Sequence, residues 1–114
     1  MRNLNHDSLS EGHTLIMHKK HVKDLDELDE HTLKAVMNAS VLISRALKRL
    51  YNLDGISITQ NGGVFNDLGH YHMHVFPRYK DDGFGWVEPI DKRNTDLKRV
   101  RANIIDAIQS IEKK

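Results

Sequence analysis

Apolar and polar residues alternate in three short segments of the chain and recur every three or four residues in two longer segments. The alternating segments, residues 13–17, 56–59 and 70–78, are predicted to be β-strands, because side chains two apart on a strand share a face. The longer segments predict amphipathic helices. The first helix spans 29–51, and its predicted apolar stripe is Leu33, Val36, Met37, Ser40, Ile43, Ser44, Leu47 and Leu50.

The second predicted helix spans 96–112, with Asn94 and Thr95 as candidate caps and an apolar stripe of Leu97, Val100, Ile104, Ala107, Ile108 and Ile111. The segment 60–69 contains three glycines and two asparagines, which predicts a loop. This order of elements indicates an α+β fold, in which an antiparallel sheet is covered on one face by a long helix and a C-terminal helix. A length of 114 residues fits a single domain over 1–114.

The amino-acid composition argues against two classes of binding partner, nucleic acids and membranes. The 17 basic residues nearly balance the 16 acidic ones and are interspersed with them, which argues against a nucleic-acid-binding surface. No apolar run is long enough to cross a membrane, and no signal peptide is visible, so neither a membrane nor a nucleic acid is an expected partner. The chain has no cysteine, which fits a reducing compartment, and a cytoplasmic location is the default expectation.

Three histidines, His70, His72 and His74, alternate within one apolar run. On a strand, all three imidazoles would line one face, while the residues between them would face a packed core. Each imidazole needs hydrogen-bonding partners, so a purely structural role for all three is disfavoured. Two kinds of site remain: a metal site, or a phosphate site where imidazoles act as nucleophile, proton donor and anion clamp. The chain offers no cysteine and no His-Glu-x-x-His helix to support the metal site.

The run from His70 to Phe76, followed by Pro77 and Arg78, closely resembles the signature of the histidine triad (HIT) superfamily of nucleotide hydrolases and transferases. Upstream, the segments 12–16 and 19–22 resemble that family's first core strand and its exit. The segment 55–62 resembles the strand and loop that precede the triad. The resemblance covers roughly residues 5–86, and it implies that no cofactor or metal is needed for the covalent step.

The resemblance assigns a catalytic role to four histidines. His72 matches the nucleophile, whose Nε2 attacks a phosphorus atom while a backbone carbonyl holds the proton on Nδ1. His70 would help to orient the site, and His74 would donate to phosphate oxygens or to the leaving group. His13 matches a fourth family histidine that is expected to stand close to His70.

Three asparagines are candidate nucleotide ligands by the same resemblance. Asn5 would bind the ribose hydroxyls, although an exposed asparagine without a ligand is an equal alternative. Asn61 and Asn66 would donate their amides to phosphate oxygens, as would His74. Asp67 stands where some relatives carry a serine, and its charge would repel phosphate unless it is turned away. The chain starts later than its relatives, so binding is expected to tolerate a change of base.

The predicted function is hydrolysis or nucleotidyl transfer at an α-phosphate through a nucleotidyl-histidine intermediate. The substrate would be a purine nucleotide, as a nucleoside phosphoramidate or a dinucleoside polyphosphate, and the protein is expected to be a homodimer that pairs through the first helix. One alternative is a metal-binding protein that uses the row of His70, His72 and His74. Another is a nucleotide-binding module with little turnover.

Overall fold

The computed structural model of the chain describes residues 11–18, 22–89 and 96–113. These residues form an α+β fold with an antiparallel three-stranded sheet, as predicted. Short 3₁₀ turns occupy Leu25–Glu27 and Gly63–Phe65. In chain order, the main elements are β1 (Thr14–Met17), α1 (Glu30–Leu50), β2 (Gly55–Thr59), β3 (His72–Arg78) and α2 (Leu97–Glu112).

Strand β3 lies at the centre of the sheet, between β1 and β2, and is antiparallel to both. The register pairs Leu15 of β1 and Thr59 of β2 with His74 of β3, so these three side chains share one face. Met73 and Val75 point to the opposite face, which α1 covers. The predicted division of β3 into a core face and a histidine face is therefore confirmed for residues 72–75.

The bounds of α1 agree with the prediction to within one residue at each end. Asp29 caps the helix, because its carboxylate accepts a hydrogen bond of 2.7 Å from the backbone N–H of Thr32. At the other end, the N–H of Tyr51 donates to the carbonyl of Leu47 at 3.0 Å. Both ends of the longest helix are thus fixed by local hydrogen bonds.

The buried residues of α1 are fewer than those of its apolar stripe. Thr32, Val36, Ser40 and Leu47 are buried, and the hydroxyl of Ser40 is satisfied by the carbonyl of Met37 at 2.7 Å. Three apolar positions of the predicted stripe are exposed in the single chain: Leu33 by 37%, Met37 by 53% and Leu50 by 72%. The reason is geometric, since the sheet contacts one ridge of α1 and these residues lie on the neighbouring ridges.

The chain divides into two compact units, Met1–Gly83 and Phe84–Lys114. The first unit contains the sheet, α1 and the hydrophobic core. In the second unit, α2 begins one residue later than predicted, and its cap is Asp96, whose carboxylate accepts from the N–H of Arg99 at 3.2 Å. The candidate caps Asn94 and Thr95 lie outside the described residues. None of the α2 residues is buried, so the predicted apolar stripe forms but is exposed.

Within the described ranges, neither α1 nor α2 has a long and apolar enough stretch to span a bilayer.

Candidate active site

The histidine face of β3 forms one wall of a cavity of about 360 Å³. His72 and His74 come from β3, and Leu15 comes from the neighbouring strand β1. The remaining wall is the loop between β2 and β3. That loop contributes Asn61, Phe65, Asp67 and Leu68.

His72 is almost fully buried, with 3% of its surface exposed, and its Nδ1 lies 3.2 Å from the backbone carbonyl of His70. A carbonyl oxygen can only accept a hydrogen bond, so the proton must sit on Nδ1 of His72. The lone pair of the neutral ring is then on Nε2. This is the tautomer that a nucleophilic imidazole requires.

The start of β3 differs from the prediction. The strand begins at His72, two residues later than expected, and His72 and His74 both line the cavity. His70 lies just before the strand and contributes its backbone carbonyl to the site. The predicted row of imidazoles is therefore observed for His72 and His74, and the place of the His70 ring in that row stays a prediction.

His13 lies beside His74 and not, as expected, beside His70. Its Nε2 is 2.9 Å from Nδ1 of His74, and its ring stacks on Phe76 with centroids 4.7 Å apart. The register explains this position, because Thr14 pairs with Val75 and the preceding residue therefore falls opposite Phe76. Gly12 makes the approach possible, since its φ of +86° is in the left-handed region and an added Cβ would lie 2.8 Å from the ring of Tyr51.

The hydrogen bond between His13 and His74 limits which nitrogen of each ring can carry the proton. One of the two facing nitrogens must donate and the other must accept. If Nε2 of His13 donates, then Nδ1 of His74 carries the lone pair and Nε2 of His74 carries a proton. In that arrangement Nε2 of His74 can donate a hydrogen bond to a ligand in the cavity.

Burial lowers the pKa of His13 and of His74 below the ordinary histidine value. For His74, the neighbouring rings of His72 and His13 lower the pKa further, while the carboxylate of Asp67 acts in the opposite direction. Both shifts favour the neutral form of these two rings over the charged form. A neutral pair keeps the one-donor, one-acceptor hydrogen bond intact.

The asparagines occupy different environments. Asn61 is exposed and lines the cavity, where its amide can reach a ligand. Asn66 is buried, does not line the cavity, and directs its side chain to backbone groups. Asn5 lies outside the described residues. A nucleotide-binding role for each of the three remains a prediction.

The cavity also contains residues that the sequence did not single out. Leu15, Phe65 and Leu68 form its apolar lining, and Phe65 is 76% exposed. Leu15 could have been found, because alternation along β1 and antiparallel pairing place it beside the histidine face. Phe65 and Leu68 carry no such signal, since they belong to an irregular loop.

The charged groups of the site do not form an evident metal centre. Among the residues that the structure describes, no three His, Cys, Asp or Glu side chains are grouped so as to hold a metal ion. His72 and His74 have rings in a T-shaped arrangement, with centroids 5.0 Å apart. Both rings line the cavity.

Comparison with known proteins agrees with this site. The model of the HIT domain matches residues 3–81. Protein hit of Bacillus subtilis is 32% identical over 108 residues, which cover 90% of this chain and 74% of that protein. The crystal structure of a member of the HIT family from the same organism superimposes with a TM-score of 0.71 at 30% identity, over 85% of this chain and 73% of that chain.

Two further relatives carry more specific descriptions. Adenosine 5′-monophosphoramidase HNT1 of Saccharomyces cerevisiae is 27% identical over 93 residues, which cover 80% of this chain and 56% of that protein. A zinc-bound histidine triad family protein from Mycobacterium smegmatis superimposes with a TM-score of 0.60 at 28% identity, over 86% of this chain and 74% of that chain.

Because the HIT domain model matches more than half of the chain, and Protein hit is more than 30% identical over most of its length, the chain belongs to the HIT family.

Proposed function

We propose that the protein is a nucleotide hydrolase or nucleotidyl transferase that reacts at an α-phosphate through a covalent adduct on His72. The observation that carries this proposal is the 3.2 Å hydrogen bond from Nδ1 of His72 to the carbonyl of His70. It leaves the lone pair of Nε2 available, which is the first requirement for attack on phosphorus.

The reaction has two steps. In the first, Nε2 of His72 forms a bond to the α-phosphorus, the bond from phosphorus to the leaving group breaks, and the imidazolium form of His74 supplies a proton to the leaving group and becomes the neutral ring. In the second, water attacks the phosphorus, the bond to Nε2 breaks, and the nucleoside monophosphate leaves. One proton from the water restores His74. Another nucleophile in place of water would make the same step a transfer.

The cavity supplies a place for the phosphate. The exposed amide of Asn61 lies on the loop opposite His72, and Gly62 and Gly63 allow the backbone there to approach a ligand closely. Charge-assisted hydrogen bonds from such amides would hold the phosphate oxygens. A nucleoside phosphoramidate is the substrate class we favour, on the resemblance to the yeast phosphoramidase.

The test is to mix the protein with adenosine 5′-phosphoramidate, stop the reaction in acid-free denaturant, and measure the intact mass. An adenylate adduct on the wild-type chain, located on His72 by peptide mapping, is the expected result. His72→Ala should form no adduct and should lose several orders of magnitude in turnover. His31→Ala is the matched control, since His31 is exposed on α1, and it should behave as wild type.

Three results would overturn the proposal. Equal turnover by the wild type and His72→Ala would exclude His72 as the nucleophile. Binding of AMP with no adduct and no turnover would make the protein a nucleotide-binding module, and retained zinc that blocks AMP binding would make it a metal-binding protein.

A further inference from the structure

The side chain of Asn66 makes three hydrogen bonds, and all three are to backbone groups. Its amide nitrogen donates to the carbonyl of Lys23 at 3.0 Å and to the carbonyl of His70 at 3.1 Å. Its oxygen accepts from the N–H of Leu68 at 3.2 Å. An asparagine amide has two hydrogens to donate, so both are used within the protein.

One of these acceptors is the carbonyl that sets the tautomer of His72. The oxygen of His70 receives a hydrogen bond from Nδ1 of His72 at 3.2 Å and another from Asn66 at 3.1 Å. A carbonyl oxygen has two lone pairs, and these two donors use both. The direction of this carbonyl therefore depends on Asn66 as well as on the backbone.

The backbone around His70 needs such support. Because β3 begins only at His72, the carbonyl of His70 lies outside the ladder that holds the strand. The preceding residue, Gly69, has a φ of +75°, and an added Cβ there would have open space around it. The next N–H, that of Tyr71, donates to Val22 at 2.6 Å, so the segment before α1 holds this stretch at a second point.

We infer that Asn66 is a positioning residue for the nucleophile: it fixes the carbonyl of His70 against the segment before α1, and thereby holds His72 in its Nδ1–H tautomer. It does not contact phosphate in this arrangement. Its burial to 7% exposure and its absence from the cavity lining agree with that role. The inference deepens the proposed function and rests on it for its kinetic consequence.

Asn66→Asp is the sharpest variant, because it keeps the shape of the side chain and removes both donors. With its ordinary carboxylate charge, Asp would face two carbonyl oxygens and turn away from them. We expect kcat to fall by about 10- to 100-fold, the size of effect that a small misplacement of a reacting group produces. The affinity for AMP should change by less than about twofold. Asn103→Asp on the exposed face of α2 is the matched control and should leave both quantities unchanged.

Asn66→Gln separates positioning from phosphate binding. A glutamine carries its amide one methylene further, past the carbonyl of His70, so a positioning role predicts a lower kcat with unchanged AMP affinity. A phosphate-binding role predicts instead that glutamine binds AMP as well as asparagine and retains turnover. Far-UV circular dichroism checks that each variant is folded.

Nitrogen-15 NMR of the free protein tests the inference without turnover. The wild-type His72 ring should be in the Nδ1–H form, and either variant should show a mixture of tautomers. In the wild-type chain, titration with AMP should shift the side-chain amide signal of Asn61 and leave that of Asn66 nearly unchanged. A large shift of the Asn66 amide, or an unchanged His72 tautomer in both variants, would overturn the inference. Absence of adduct and turnover in the wild type, with these NMR results intact, would instead refute the proposed function.

Discussion

Replacing Val75 by alanine should destabilise the protein substantially, because Val75 is the point where the sheet and α1 meet. Its side chain is 0% exposed, and it lies on the central strand opposite Thr14 of β1 and Ile58 of β2. It belongs to the core cluster that also contains Val36 and Leu47 of α1.

The magnitude follows from the two methyl groups that are lost. Burial is worth about 0.8 kcal/mol for each such group, which gives about 1.6 kcal/mol. Partial relaxation of a packed core leaves a cavity that adds roughly another 1 kcal/mol. We therefore expect the free energy of unfolding to fall by about 2–3 kcal/mol, a large share of the 5–15 kcal/mol typical of a domain.

Urea denaturation followed by far-UV circular dichroism, at one protein concentration, measures this change as a lower midpoint with an unaltered slope. Val87→Ala is the matched control, since Val87 is 91% exposed and its loss should cost less than about 0.5 kcal/mol. A loss below about 1 kcal/mol for Val75→Ala, or equal losses for the two variants, would show that the sheet and α1 do not form the core described above.

Four other outcomes are expected. His13→Phe keeps a ring against Phe76 but removes the hydrogen bond to His74, which is worth about 0.5–1.5 kcal/mol. The kcat should therefore fall by roughly twofold to tenfold, and an unchanged kcat in a turnover assay would contradict this. Because burial lowers the pKa of His13 and His74, the unfolded chain takes up their protons first, and the urea midpoint should fall as pH drops below about 6.5, less so in His13→Phe. Asp67→Asn should raise turnover of adenosine 5′-phosphosulfate more than that of the phosphoramidate, since it removes a negative charge from the cavity wall; an unchanged ratio of rates would refute this. Light scattering at micromolar concentration should show a homodimer, and Met37→Lys on the exposed ridge of α1 should weaken it; a monomeric wild type would reject the pairing.

The elements of the fold were predictable where the pattern of side chains matched the geometry of a single element. Alternation from His72 to Phe76 marks a strand with a core face, and the recurrence of apolar residues every three or four positions marks α1. Each of these patterns lies within a single element, so it can be recognised without knowing which other elements pack against it.

The sequence did not reveal how the helices and strands are arranged relative to one another within the sheet-containing unit. The apolar stripe of α1 did not reveal which of its residues face the sheet, because this depends on how the helix crosses the sheet. The pairing of His13 with His74 depends on the register between β1 and β3, which places residue 13 opposite Phe76. Neither the crossing of α1 over the sheet nor the register between β1 and β3 can be inferred from residues that are neighbours in the sequence.

The hydrogen-bond partners of Asn66 are a further feature that the sequence did not reveal. Its position four residues before His70 suggested an amide for phosphate, and the type of side chain was right for that task. Its actual partners are Lys23 and His70, and the first of these is 43 residues away in the chain. The folded arrangement of two loops, and not the residue type, determines which oxygen the amide reaches.

The cavity is lined by a paired strand on one side and by a loop on the other. β3 pairs with β1 at His72 and with both β1 and β2 at His74, and its core face is buried, so the backbone that carries these two histidines is fixed by strand pairing and by the packing of α1. The proposed chemistry at phosphorus would need that precision, since a reacting group displaced by an ångström can cost about 100-fold in rate. In the same proposal, ligand recognition would fall to the loop between β2 and β3, whose Asn61, Phe65 and Asp67 line the cavity. Asn66 lies in this loop but points inward, so it connects the loop to the carbonyl of His70, which accepts from Nδ1 of His72. A ligand that displaced this loop would therefore change the reactivity of His72 as well as its own affinity.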